Sequence, residues 1–166
     1  MKNICLIILI LGSSFCFAKT DAIDVHLVYS GFDFLIPSGQ DAVGANGGDN
    51  NFLVFRYGKE KGTEYLAFTD ISNDEGYGCK SSEFYADLFE IRENSKCNKN
   101  ELVTFKESLI ENSESGSWKG KNTISYYSIS EPQSLVFLVY KDKVIKVDTD
   151  FLTKKELKKI FEKVID

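Results

Sequence analysis

Apolar residues recur at two spacings along this chain, and the switch between them divides it into regions. A period of two marks strands with one buried face; a period near 3.6 marks helices with an apolar stripe. Val25, Leu27 and Tyr29 alternate with His26 and Val28, and a second strand pattern, Phe32 to Ile36, runs until Pro37-Ser38-Gly39 stops it. Phe52 to Tyr57 is apolar on both faces, which predicts a strand central in its sheet. Gly58 to Gly62 predicts a hairpin turn leading into a strand over Tyr65 to Ile71. Between the early strands, Gln40 to Asn50 reads as a mobile polar loop. It is rich in glycine, but no Gly-Lys-Ser/Thr ending and no helical pattern follow, so it is not a phosphate cradle.

The period changes after Cys79. Phe84, Leu88 and Ile91, with Tyr85 and Phe89, form one helical stripe, and Ser81 or Ser82 is placed to cap it. Asn100 is the expected cap of a second helix carrying Leu102, Phe105 and Leu109, flanked by Val103 and Ile110. Asn112 to Ser117 reads as a loop leading to Trp118, the only tryptophan. Thr123 to Ile129 predicts a strand, and Leu135–Tyr140 with Val144–Val147 a hairpin turning at Lys141–Lys143. The last helix has the clearest start: Thr153-Lys154-Lys155-Glu156 is a capping box, with Leu152 and Leu157 set for a hydrophobic staple. Leu157, Ile160, Phe161, Val164 and Ile165 form its apolar face, and the lysines largely opposite, including Lys158 and Lys159, read as a solvated face.

Hairpins dominate, and no strand–helix–strand alternation is sustained. The predicted fold is therefore α+β: an antiparallel sheet with about three helices packed mainly on one face, forming one domain over residues 19–166. The run Phe32-Asp33-Phe34-Leu35-Ile36-Pro37-Ser38-Gly39 resembles the opening of PsbP-type α+β domains. The resemblance implies the fold class and transfers no site residue.

Residues 1–18 change the picture. A basic start at Lys2, the short apolar run Ile4 to Leu11, and Cys16 and Ala18 at the −3 and −1 positions make a cleaved secretory signal peptide. The apolar run falls well short of the roughly 20 residues that span a bilayer, so no stable membrane anchor is expected after cleavage. Phe15 stands where an acylated Cys16 would need a small neighbour. The expected location is periplasmic or secreted. Cys79 and Cys97 are then the cysteines left, and an even number in an oxidising compartment predicts a disulfide. They lie eighteen positions apart, whereas redox-active pairs stand closer, so the bridge reads as structural.

Charge and the remaining motifs narrow the chemistry. The balance is 20 basic against 25 acidic residues, net −5, with no basic patch; nucleic acid is excluded as a partner, and a basic protein is favoured. Asp70, Asn73, Asp74 and Glu75 gather ahead of Gly76, but their spacing does not match a calcium loop, so a solvated turn is expected and no metal or cofactor is assigned. His26 is the sole histidine, and neither a Gly-x-Ser-x-Gly elbow nor a Ser-x-x-Lys pair occurs. The first expectation is an exported, non-catalytic module that binds another protein, including immunity-type inhibitors of exported toxins. The second is a periplasmic small-ligand or glycan binder using Tyr77, Trp118, Tyr126 and Tyr127, whose rings can stack on sugars. A small hydrolase using His26 with Asp70, Asp74 or Glu75 comes third. The candidate binding set is Tyr77, Asp74, Glu75, Trp118, Tyr126 and Tyr127, with no catalytic residue assigned.

Overall fold

In the computed structural model, residues 24–48, 51–92 and 94–165 are described; the predicted signal peptide lies outside them. Among the described residues nine strands form: β1 (Val25–Tyr29), β2 (Phe32–Ile36), β3 (Ala42–Asn46), β4 (Phe52–Arg56), β5 (Tyr65–Asp70), β6 (Glu114–Lys119), β7 (Ile124–Ile129), β8 (Ser134–Tyr140) and β9 (Lys143–Thr149). The helical segments are α1 (Ser81–Glu90), α2 (Lys99–Leu109), α3 (Lys154–Ile160) and α4 (Glu162–Ile165). All strand pairs are antiparallel. β1 and β2 stand apart as a hairpin, and the others make a seven-stranded sheet in the order β3-β4-β5-β9-β8-β7-β6.

Period-two alternation gives this sheet two apolar faces. On one, Leu66, Phe68, Val136, Leu138, Ile145 and Val147 meet Phe34 and Ile36 of the hairpin and Leu157, Ile160 and Phe161 from the end of the chain. Phe34 is fully buried and sits at the junction, with ring centroids 5.0 Å from Phe68 and 5.6 Å from Phe161. On the other face, Tyr126, Phe137 and Val144 meet Phe84, Tyr85 and Leu88 of α1. Tyr85 stacks on Phe137 at 4.1 Å and Phe89 on Tyr126 at 5.2 Å. The helix α2 packs outside α1 and has no buried residue of its own. The fold is thus α+β with an antiparallel sheet and one disulfide. The helices divide between the faces, because the hairpin needs α3 and α4 beside it to close the second core.

Several local expectations give way to tertiary pairing. Within the segment read as a mobile loop, residues 42–46 form β3, an edge strand paired along its length with β4. β4 is accordingly next to the edge; β9 holds the central place. The segment Asn112–Ser117, read as a loop, contributes most of β6, and its glycine has a packing role. A Cβ on Gly116 would stand 2.5 Å from the Tyr127 hydroxyl, so only glycine lets Tyr127 cross the edge strand and stack on Trp118. α1 starts at an extended Lys80 with no side-chain cap, while Ser81 and Ser82 are buried in its first turn. Asn98, two residues before the expected cap, accepts from the Asn100 amide and caps α2. At the C-terminal end the capping box of Thr153 and Glu156 is present, and Leu152 and Leu157 are both buried. The helix predicted there breaks at Phe161, whose ring turns into the core, and α4 resumes after it.

Cys79 and Cys97 are bonded, with Cα atoms 4.9 Å apart. The bridge joins the segment before α1 to the segment before α2, and the Asn98 amide adds a hydrogen bond to the Tyr77 carbonyl at 2.6 Å. Changing both cysteines to Ser is expected to lower unfolding stability by about 3 kcal/mol, the entropy of a loop of this length. The measurement is the urea midpoint, with the far-ultraviolet circular dichroism of the folded protein unchanged.

Candidate functional site

Three places carry clustered polar or exposed apolar groups. The first is the acidic turn after β5. Asp70 accepts hydrogen bonds from the Ser30 hydroxyl and from both the amide and hydroxyl of Ser72. Lys143 donates to the Ser30 carbonyl at 2.7 Å, and the Asp70 amide donates to the Tyr29 hydroxyl, which donates in turn to the Asn51 carbonyl. Burial pushes the Asp70 carboxyl up, but the bonds from Ser30 and Ser72 and the charge of Lys143 outweigh it and hold the group below its ordinary value. This network fastens the turn of the β1–β2 hairpin to the sheet. Asp74, half-buried, is raised by burial, partly offset by Lys146; Glu75 is exposed. Among the described residues no three His, Cys, Asp or Glu side chains gather as a metal ion would need.

The aromatic candidates separate. Tyr77 is half-buried, stacked on Phe84 at 4.1 Å with its hydroxyl 3.3 Å from that of Tyr85. Tyr126 is buried on the same face of the sheet and donates to Glu90 at 2.7 Å. Trp118 and Tyr127, 8% and 9% exposed, stack on each other against the opposite face. The neighbours Tyr126 and Tyr127 diverge because successive strand residues point to opposite faces. The four rings therefore line no common cleft. His26 is exposed, with ring contacts to Asp33 at 3.2 Å and to Lys163, while the Asp70 carboxylate is taken up by Ser30 and Ser72. Among the described residues no hydrogen bond or ion pair joins that histidine to the acidic turn.

Two places were not picked out by residue type. A cleft of about 830 Å³ opens at one end of the sheet between the β4–β5 turn, the β7–β8 turn and the segment before α3. Tyr65, Gln133, Ser134 and Asp150 are among its lining. Gln133 donates to the Tyr65 hydroxyl at 2.8 Å, and Asp150 accepts from the amides of Glu64 and Tyr65. Burial, with the nearby Asp148 and Asp150 charges, pushes the Tyr65 phenol up to about 12.

The second is a shallow apolar groove of about 150 Å³ between α1 and α2, lined by Leu88, Ile91, Leu102 and Val103 with Asp87, Arg92 and Lys106. Arg92 reaches Glu90 at 2.5 Å and Asp87 at 3.4 Å. Ile91, expected on the buried stripe of α1, is instead the C-cap of that helix and 63% exposed; Val103 is 57% exposed. Ile91 also takes a left-handed backbone, φ 53° and ψ 53°, which a β-branched residue adopts only at a cost. A glycine there would have been the ordinary choice. The sequence signal available was the missing helix terminator after Glu90.

No protein-family model matches this chain, and no curated protein matches its sequence. The resemblance of Phe32 to Gly39 to PsbP-type domains is accordingly unsupported by any family match. Among the described residues no helix is long and apolar enough to cross a membrane.

The Asp70 network has a pH signature. Its folded value lies below the unfolded value of about 3.9, so its stabilisation is complete above that pH and is lost as pH falls through the folded value. The melting-temperature gap between the wild type and Asp70→Asn is expected to be widest near neutral pH and to shrink below about pH 4. A gap that persists unchanged into acid would assign the loss to packing.

Proposed function

We propose that this chain is an exported, non-catalytic module that binds another protein through the outer face of the α1–α2 pair. One observation carries the reading: Ile91 is unfavourable twice over. Its side chain is exposed, and its backbone is left-handed, at a cost of order 1–3 kcal/mol for a residue other than glycine. The left-handed backbone disfavours isoleucine and the largely exposed side chain adds little to the core, which supports a role for it outside the molecule. With Val103 it offers an apolar anchor beside a shallow groove, and Asp87, Glu90, Arg92 and Lys106 supply a charged surround, the anatomy of a small interface core and rim. The disulfide pins the segments leading into both helices, which limits the ordering cost on binding. The signal peptide and the acidic balance support an envelope setting and a basic partner, and inhibition of an exported toxin is the specific form that fits a small chain of this kind.

The test separates stability from binding on one surface. Ile91→Gly is expected to raise stability by about 1 kcal/mol by relieving the left-handed strain. The same change, combined with Val103→Asp, is expected to abolish stoichiometric capture of a partner from an envelope extract in which the wild type succeeds. Equal capture by both proteins, or no stoichiometric partner for the wild type, overturns the reading.

A second reading, a small polar ligand, is favoured by the cleft beside Tyr65 and Gln133, whose size suits such a molecule. Ligand binding there is expected to raise the melting temperature of the wild type and not of Gln133→Leu across a panel of sugars.

A further inference from the structure

We infer that β3 is a self-association edge, through which two copies of this chain pair antiparallel about Gly44 and join their sheets. The two edges of the seven-stranded sheet are treated differently. β6 begins with Glu114 and ends with Lys119, and Lys154 reaches across to Glu114 at 2.6 Å while lying 4.5 Å over the Tyr127 ring. Charges of this kind are the usual guard on an exposed edge. β3 has none: Ala42, Val43, Gly44, Ala45 and Asn46 are uncharged, contain no proline, and are all exposed except for half-buried Gly44. Val43 is 55% exposed and the rest of the strand is small, so little prevents another extended strand from reaching the outer backbone groups. Gly44 itself sits close against Val54 of β4, whose Cγ1 would stand 3.1 Å from an added Cβ, so the middle of β3 is held tightly in the sheet.

The sequence then decides the occupant. Two chains of net charge −5 repel at long range, so a contact between copies must keep carboxylates from facing each other. A two-fold axis at Gly44 sets Gly44 opposite Gly44, Val43 opposite Ala45, Ala42 opposite Asn46, and Asp41 opposite Gly47. Asp41, the one carboxylate in residues 40–48, meets glycine. No like charges meet in this register, and a closed two-fold contact uses one edge from each copy and leaves the guarded β6 edges outward.

Sedimentation velocity across the micromolar range tests it. The wild type is expected to show a concentration-dependent monomer–dimer equilibrium. In the two-fold register Val43→Lys with Ala45→Lys places like charges opposite each other twice, and is expected to weaken dimerisation about tenfold or more. Val43→Lys with Ala45→Glu places opposite charges in the same positions and is expected to restore it. A monomer at every concentration, or equal dimerisation by the two double variants, overturns the inference. Should the lysine pair fail to fold, hydrogen exchange on the wild type decides. Slower exchange of amides 42–46 at higher concentration supports the pairing; unchanged exchange there overturns it. This surface is separate from the α1–α2 face, so either proposal can fail without the other.

Discussion

The central strands of this protein are buried on both faces, and the rest of the structure is placed by that fact. In β9, Val144 points to one core while Ile145 and Val147 point to the other; in β8, Phe137 opposes Val136 and Leu138 in the same way. A sheet so apolar on both sides cannot face water on either, so two separate covers are required. The helix pair supplies one. The other has to be assembled from the hairpin and the last helical segments, because none of those pieces is wide enough alone.

The two covers are fastened by different physics. The helix pair is tied covalently at its base and pressed on the sheet by stacked rings, Tyr77 on Phe84, Tyr85 on Phe137 and Phe89 on Tyr126. The hairpin is held by the apolar cluster around Phe34 and by the polar clamp at its turn, where Asp70 gathers Ser30 and Ser72 with Lys143 alongside. The first cover presents the outer surface on which the exposed, left-handed Ile91 stands. The second is clamped at its turn through one carboxylate.

Most of the frame could be read from the residues, for reasons that are local. The strands at 25–29, 32–36, 65–70, 124–129 and 134–149 carry period-two patterns closed by turn residues, and the capping box at Thr153 is a short-range hydrogen-bond exchange that needs no tertiary help. The two segments misread as loops share a cause: pairing with the next strand along the chain decides. Ala42 to Asn46 has loop composition and becomes a strand because β4 offers it backbone bonds. Gly116 reads as a loop glycine until Tyr127 is found lying across it. The candidate site was harder still. Tyr126 and Tyr127 looked like a binding surface because aromatic rings serve equally in cores and interfaces, and only the pleat, which sends them to opposite faces, tells which. Ile91 looked like core because it falls on the helical period of α1; the helix ends one residue too soon for that.

The second cover joins parts of the chain that lie far apart in sequence: β2 packs on α3 and α4, with Phe34 against Phe161. Contacts so distant in sequence form late, because the intervening chain must be ordered before they repay its closure. A chain delivered amino end first, by a ribosome or through a membrane pore, presents the hairpin early and withholds its berth until the final helical segments arrive. The sheet itself cannot join before β9, its central strand, arrives, so the apolar residues of the early strands stay open to solvent, and to other unfinished chains, for most of the passage. The hairpin is among the first strands to emerge and the last to be seated.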